Sequence, residues 1–162
     1  MITHPDPSMP YTQSEIDSFK NYWDDGGSLL LVGCSQDNSI LRSNDELNRV
    51  ISELNIDATF SGLEAGGYNT SLEPYFVTTS VESIFVRGAK IEYTNNDLFT
   101  ALASTSGAPY FVAYENEVSD QRAILLGGLH ITHLMKEYGI MIYFHLMVMK
   151  LLIPGISKGM VI

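Results

Sequence analysis

The sequence predicts an α/β domain with a mostly parallel central sheet, and three observations favour that class. Two helix-start signals, at Thr12 and Ser43, each come before an amphipathic stretch. Between these stretches, residues 28–33 read Ser-Leu-Leu-Leu-Val-Gly, a continuous apolar run typical of a strand that is covered on both faces. Because helices alternate with strands of this kind, we expect helical crossovers between parallel strands.

The first helix is predicted from a capping box. Thr12 and Glu15 have the spacing at which the threonine hydroxyl accepts from the Glu15 backbone N–H and the glutamate reaches back to the Thr12 N–H. The apolar residues that follow keep helical spacing: Ile16, Phe19 and Trp23. Residues 25–27, Asp-Gly-Gly, predict a left-handed end to this helix. Residues 2–3, ahead of it, are expected to end a strand.

The second helix is predicted from a second capping box, formed by Ser43 and Glu46. Its apolar face is expected to consist of Leu47, Val50, Ile51 and Leu54. Residues 55–60 then predict a turn followed by a strand. The pattern of a helix followed by a strand therefore occurs twice.

Shorter signals predict the remaining elements. Residues 62–70 are rich in glycine and predict a loop, and Asn95 or Asn96 is expected to cap a short helix that ends at Leu102. A hairpin or two short strands are predicted at 83–86 and 89–94, around Arg87 and Gly88, further strands at 110–115 and 123–126, and a closing helix at 140–153.

Composition limits the class of protein. The chain has 162 residues, of which 45% are hydrophobic, which is enough to bury one core. A formal net charge of −10 repels phosphate backbones, so no nucleic-acid binding is expected. The most apolar stretch, residues 140–153, is shorter than the ~20 residues of a spanning helix, so no transmembrane segment is predicted. One cysteine excludes an internal disulfide framework but leaves both a cytoplasmic and an extracellular location open.

Residues 10–33 resemble the signature of the glutamine-amidotransferase-like superfamily: a Thr-x-x-Glu helix start, an apolar helix with a tyrosine, a Gly-Gly turn and an apolar strand. Residues 44–56 and 120–128 are similar to two later segments of the family. Within the superfamily, the chain resembles the GIFT domains of gliding-motility ABC-transporter components and of an intraflagellar-transport subunit. The resemblance implies a flavodoxin-like, amidotransferase-like three-layer sandwich over residues 1–153, with a C-terminal tail at 154–162.

The resemblance also implies that the chain starts inside the domain. Domains of this superfamily have strand and helix units ahead of the segment that matches residues 2–5 here. A sheet without its first strands exposes an apolar edge or face, which a second copy of the chain or another polypeptide can cover. We therefore expect a homodimer or a complex with a partner protein.

Cys34 is the candidate nucleophile. It follows the predicted strand directly, where amidotransferases place a catalytic thiol on a sharp turn between strand and helix. The chain continues Ser35-Gln36-Asp37, without the glycine two residues on that this turn usually needs. A small buried residue at a strand end is therefore the favoured interpretation of Cys34, and catalysis is the alternative.

His130 and His133 are the candidate bases in that alternative, because the amidotransferase histidine also lies late in the chain. The His-x-Glu pattern of the family is absent, since His130 is followed by Ile131 and Thr132. His130, His133 and Glu137 can share a helical face, but a His-x-x-His pair without cysteines is a weak metal signal. We predict no metal and no cofactor.

The sequence favours a non-catalytic binding or protein-interaction module, part of a larger transport, surface or assembly protein. A small-molecule ligand, if one binds, is expected at the carboxyl ends of the parallel strands. The residues expected to bind it are Gly33, Ser35, Gln36, Gly128 and His133. The alternative is a small thiol hydrolase or amidotransferase-like enzyme that uses Cys34 with His130 or His133.

Overall fold

The computed structural model describes residues 2–3, 9–34, 41–69, 72–78, 84–95 and 97–128. The elements in these residues are β1 (Ile2–Thr3), α1 (Gln13–Asp24), β2 (Ser28–Val32), α2 (Leu41–Glu53), β3 (Ala58–Asn69), β4 (Ile84–Tyr93), β5 (Phe99–Thr105), β6 (Ala108–Asn116) and β7 (Gln121–Leu126). The strand predicted at residues 2–3 is confirmed as β1. The closing helix predicted at 140–153 lies outside the described residues.

Five of these strands form the central sheet, in the order β1-β2-β7-β6-β5. β2 pairs in parallel with β1 on one side and with β7 on the other. β6 and β5 extend the sheet by antiparallel pairing. Parallel pairing is thus limited to three strands, and β2 is the middle one.

The predicted ends of α1 are confirmed. The Glu15 N–H donates to the Thr12 hydroxyl at 3.3 Å, and the Thr12 N–H donates to the Glu15 carboxylate at 2.8 Å, which completes the capping box. At the other end, Gly26 adopts φ +83° and its N–H donates to the Trp23 carbonyl. These local signals fix the helix because each is satisfied by residues within one turn of it.

β2 is confirmed as a strand that is buried along its whole length. Leu29 and Leu31 belong to the core on one face of the sheet, and Leu30 and Val32 belong to the core on the other. This burial on both faces explains the continuous apolar run that predicted the strand.

α2 begins at Leu41, so the prediction that Ser43 and Glu46 cap its start is wrong. The predicted apolar face is confirmed, since its members are all fully or almost fully buried: Leu47, Val50, Ile51 and Leu54. Asn44 lies on the same face of the helix and is 1% exposed. Its side chain binds the chain after β2 rather than the start of the helix.

β3 and β4 form a separate antiparallel sheet of two strands. The loop predicted at 62–70 and the turn predicted at Arg87 and Gly88 are wrong, because β3 runs to Asn69 and β4 continues through both residues. The pairing shifts register between Ser61 and Ala65, as at a β-bulge. Glycine here permits irregular pairing and close backbone approach within strands.

The short helix predicted from Asn95 or Asn96 to Leu102 is also wrong, since β5 occupies this region. Phe99 stacks on Tyr93 with ring centroids 4.8 Å apart and meets Tyr114 edge-on at 5.1 Å. These aromatic contacts across strands stabilise an extended chain more than a local helix signal stabilises a helix. The strands predicted at 110–115 and 123–126 are confirmed as β6 and β7.

Both helices pack on the same face of the central sheet. α1, α2, β3 and β4 all contribute to one core cluster, whose members include Ile16, Trp23, Leu47, Ile51, Phe60 and Ile91. The cluster on the other face holds no residue of α1 or α2. The predicted flavodoxin-like, amidotransferase-like three-layer sandwich with a mostly parallel sheet is therefore wrong. In its described residues the chain is mostly β, with a mixed five-stranded sheet, a two-stranded sheet and two helices.

The described helices are too short and too polar to cross a bilayer. The division into one domain at 1–153 and a tail at 154–162 stays a prediction, because residues 129–162 lie outside the described part of the chain.

Candidate functional site

The predicted site lies at the carboxyl ends of β2 and β7. Gly33 and Cys34 follow β2, and Gly127 and Gly128 follow β7. The two strands are parallel neighbours, and the Gly33 N–H donates to the Leu126 carbonyl at 2.9 Å. The structure thus brings together Gly33, Cys34 and Gly128, three of the residues that the sequence predicted, and it buries all three.

The other predicted site residues lie outside the described residues: Ser35, Gln36, His130 and His133. Glu137, which completed the weak metal pattern, lies outside them as well. Their roles as ligand-binding residues and as bases stay predictions. In the described part of the chain, no three His, Cys, Asp or Glu side chains come together as metal ligands.

Asn44 binds Cys34 through three hydrogen bonds. Its amide oxygen accepts from the Cys34 N–H at 3.1 Å and from the thiol at 3.3 Å, and its amide nitrogen donates to the Cys34 carbonyl at 3.2 Å. The Asn44 side chain therefore bonds the N–H and the carbonyl of Cys34 as the backbone of a neighbouring strand would. An amide oxygen accepts a hydrogen bond but does not take up a proton at neutral pH, so Asn44 cannot serve as the base for this thiol.

Sequence reasoning missed Asn44, although a signal for it exists. Asn44, Leu47, Ile51 and Leu54 follow one another at intervals of three or four residues, so they share the buried face of α2. A polar residue on such a face needs a buried partner. Because residues 43–46 were interpreted as a helix cap, Asn44 was not expected to need a buried hydrogen-bond partner.

Asn48 makes a similar contact one turn further along α2. Its amide nitrogen donates to the Phe60 carbonyl at 3.0 Å, and its amide oxygen accepts from the Phe60 N–H at 2.8 Å. The ring of Phe60 in turn covers Gly33, because a Cβ atom built on Gly33 would lie 2.7 Å from that ring. Asn44 and Phe60 together therefore fill the space beside the end of β2 on the helical side of the sheet.

A close backbone contact lies at the end of β7. The Ala89 N–H of β4 donates to the Gly127 carbonyl at 2.7 Å. A Cβ atom built on Gly88 would lie 2.1 Å from that same carbonyl oxygen, and one on Gly127 would lie 2.1 Å from the Ala89 carbonyl oxygen. Neither position has room for a larger residue, so β4 and the end of β7 pack backbone against backbone.

The amino-terminal end of the same strands is built differently. The Tyr22 hydroxyl lies 3.3 Å from both the N–H and the carbonyl of Ser28, the first residue of β2. The Gln121 amide donates to the Trp23 carbonyl at 2.9 Å, which ties the β6–β7 turn to the end of α1. Val118, in that turn, is 99% exposed.

A polar cluster lies beside this turn on the non-helical face. Burial raises the pKa of Tyr75 well above its usual range, and its hydrogen bond with Glu115 acts in the same direction. Arg122, paired with Glu115 across the β6–β7 ladder, approaches the carboxylates of Glu115 at 3.7 Å and of Asp120 at 2.9 Å. Tyr75 thus stays a neutral hydrogen-bond donor at physiological pH.

An open groove of about 500 Å³ lies between β4 and the β5–β6 turn, lined by residues 90–93 and 106–109. Lys90 and Glu92 form an ion pair at its rim, 2.5 Å apart. None of the site residues predicted from the sequence lines this groove.

Comparison with known proteins gives a likeness of fold. No family model matches the chain, and no curated protein matches it either. Among solved structures, it is similar to one described as the mmIFT52 N-terminal domain, a domain of an intraflagellar transport subunit, with a TM-score of 0.63 and 14% sequence identity. The similarity covers 94% of this chain and 75% of that chain.

The predicted resemblance to an intraflagellar-transport domain is thus confirmed at the level of fold. Membership of the amidotransferase-like superfamily and the missing N-terminal strands stay predictions.

Proposed function

We propose that this chain is a non-catalytic protein-interaction module that belongs to a larger assembly protein. One observation carries the proposal: the thiol of Cys34 donates to Asn44, and the space beside Gly33 holds the ring of Phe60. A thiol hydrolase needs an accessible nucleophile with room for a substrate beside it, whereas Cys34 is only 6% exposed. The likeness to a domain of a transport assembly supports the same conclusion.

The reactivity of Cys34 tests this proposal, because only an accessible thiolate reacts rapidly with iodoacetamide. Cys34 is 6% exposed, so we expect alkylation of the native chain to be at least about a hundredfold slower than in urea, as for a core cysteine. Intact-mass measurement over a range of pH gives both rates. Cys34→Ser, the matched control, takes up no label because the chain has no other cysteine.

Rapid labelling of the native chain would contradict the proposal and restore the alternative of a thiol enzyme. His130→Ala and His133→Ala would then identify the base, because removing it slows the reaction at neutral pH.

A second copy of the chain is one candidate partner, as the sequence suggested. β1 is the edge strand of the described five-stranded sheet, and an edge strand presents unpaired backbone groups with which another chain can pair. We expect sedimentation at tens of micromolar to detect a dimer. A monomer at every concentration would remove the homodimer while leaving the interaction module intact.

A further inference from the structure

β5 lies at one edge of the central sheet, and its pairing with β6 fixes the direction of its backbone groups. The Leu98 carbonyl, just before β5, accepts from the Glu115 N–H at 3.0 Å, so it points towards β6. In an antiparallel pair this direction alternates from one residue to the next. The backbone groups of Thr100 therefore point towards β6 as well, whereas the N–H and carbonyl groups of Phe99 and Ala101 point away from the sheet.

A β-bulge ends this regular stretch of β5. The pairing with β6 passes over Leu102, which is thus the extra residue of the bulge. The Leu102 carbonyl accepts from the Glu73 N–H at 2.9 Å, so another segment of the chain already bonds β5 at the bulge. In the described part of the chain, β6 is the only strand that pairs with β5. The outward groups of Phe99 and Ala101 therefore have no neighbouring strand among these residues.

This stretch of β5 is accessible from solvent. Thr100 is exposed and Ala101 is half-buried. The Phe99 ring is buried and stacks on Tyr93 at 4.8 Å, which holds the strand on the helical side of the sheet. An edge strand that presents unpaired backbone groups is a template for a further strand. We call residues 99–101 the β5 edge.

Carboxylates flank the β5 edge on both sides. Asp97 comes two residues before it, Glu73 bonds the strand directly after it, and both residues are exposed. Residues 94–106 and 72–78 contain no lysine or arginine. Arg122 lies two strands away on β7 and already has a carboxylate partner at 2.9 Å. The charge beside this edge is therefore negative, and it favours a basic segment.

We infer that the β5 edge binds an extended, basic segment of a partner protein, which adds to the central sheet as a further strand. This inference rests on the proposed function and names the surface, the mode of binding and the chemistry of the partner. The backbone of the segment would bond the outward groups of Phe99 and Ala101, while its lysine or arginine residues meet Asp97 and Glu73. A second copy of the chain is the poorer occupant, because its own β5 would bring the same carboxylates to the contact.

Amide hydrogen exchange of the full chain, followed by NMR, tests the geometry of the β5 edge. In the free chain we expect the Ala101 amide to exchange at least about tenfold faster than the Thr100 amide, because only the latter points towards β6. The probe is a nine-residue peptide of alternating lysine and valine. An excess of this peptide should slow exchange at Ala101 at least about tenfold and leave Thr100 unchanged.

Matched peptides separate the backbone contact from the charge. Fluorescence anisotropy of the labelled lysine–valine peptide should detect binding at concentrations below about 1 mM. The same peptide with N-methylated amides keeps its charge but cannot donate backbone hydrogen bonds, so we expect it to bind at least about tenfold more weakly. A glutamate–valine peptide keeps its amides but is repelled, and it should bind several-fold more weakly at low salt.

Variants locate the binding surface. Ala101→Pro removes an outward N–H without removing a bond to β6, and proline is tolerated at this kind of edge position. We expect it to bind the lysine–valine peptide about tenfold more weakly, whereas Thr100→Val, which changes an exposed side chain only, should bind it equally. Asp97→Lys should weaken binding several-fold at low salt, and Asp45→Lys, an exposed position on α2, should do so less.

Four results would overturn the inference: equally slow exchange of the Ala101 and Thr100 amides in the free chain, no binding of the lysine–valine peptide, equal binding of its N-methylated form, or equal binding by both Ala101→Pro and Asp97→Lys. Sedimentation adds a fifth, because loss of a wild-type dimer in Ala101→Pro would identify a second copy as the occupant. Any of these results together with slow alkylation of Cys34 removes the inference alone. Rapid alkylation removes the proposed function, whatever the peptides do.

Discussion

The two ends of the β2–β7 strand pair differ in how they meet their surroundings. At the carboxyl ends, the amide of Asn44, the ring of Phe60 and the backbone of Ala89 pack against the described residues that follow the strands. At the amino ends, a tight turn and the end of α1 leave Tyr22 and Val118 in solvent, among carboxylates.

In parallel sheets in general, ligands bind at the carboxyl ends of the strands, and the ligand site expected there in this chain stays a prediction. That rule depends on a crevice, which forms where the loops after two neighbouring strands run to opposite faces of the sheet. Here the Ala89 N–H of β4 bonds the Gly127 carbonyl, and α2 places two amides against strand backbone, so these described residues pack closely on the helical side.

The largest loss of stability is expected for a substitution of Gly88, whose backbone packs against Gly127 at the end of β7. Gly88→Ala places a methyl group 2.1 Å from the Gly127 carbonyl oxygen, and backbone cannot rotate away as a side chain can. We expect a loss of about 3 kcal/mol in the free energy of unfolding, measured by urea denaturation.

Gly107→Ala is the matched control, because Gly107 has open space around its Cα but a φ of +79°. It should cost about 1 kcal/mol, from backbone strain alone. Equal losses for the two variants would mean that the contact between β4 and β7 is looser than described.

The amide contacts of α2 predict that removing the buried hydrogen bonds of Asn44 costs more stability than removing the half-buried ones of Asn48. Asn44→Ala leaves the N–H and carbonyl of Cys34 buried without this partner, which should cost about 2–3 kcal/mol. Asn48→Ala breaks the same pattern at Phe60, where water can replace the amide, and should cost about 1 kcal/mol. Urea denaturation of both variants would measure the difference. A larger loss of stability for Asn48→Ala than for Asn44→Ala would contradict the expectation that the backbone of Cys34 is less accessible to water than that of Phe60.

The two ends of α1 predict the smallest effect, which depends on pH. Hydrogen bonds from the backbone N–H and the hydroxyl of Thr12 hold the pKa of Glu15 below its usual range. The folded state therefore binds the Glu15 proton more weakly than the unfolded state, so this contribution to stability is present above the unfolded pKa and lost as pH falls through the folded pKa.

Thermal unfolding of wild type and Glu15→Gln between pH 7 and pH 3 checks this effect. The wild type should be slightly more stable at neutral pH, and the two curves should converge in acid. The other end of α1, held by backbone bonds at Gly26, contributes no such dependence. Curves that stay parallel throughout would show that the capping box does not couple to protonation.

Local signals with local partners could be predicted from the sequence. The capping box of Thr12 and Glu15, the end of α1 at Gly26 and the buried strand β2 are all as predicted, because each depends on residues close in the chain or on the apolar run itself. Elements that depend on distant partners could not be predicted. Phe99 is extended because it packs between Tyr93 and Tyr114, and the residues next to Phe99 in the sequence do not indicate that contact.

The sequence predicted which strand ends lie side by side, whereas the role of their residues as a site stays a prediction. Adjacent parallel strands bring Gly33, Cys34 and Gly128 to one end, as the sequence indicated. The sequence did not reveal Asn44 as the partner of Cys34, because a buried polar contact across ten residues requires the packing of α2 to be known.

The contact between Gly88 and Gly127 has a consequence for recognising distant relatives. Each glycine is required by the backbone opposite it, so a side chain at one position demands a displacement at the other. In a fold shared at 14% identity, few single positions distinguish a true relative from chance. A pair of glycines that appears or disappears together, one in β4 and one just after β7, would do so.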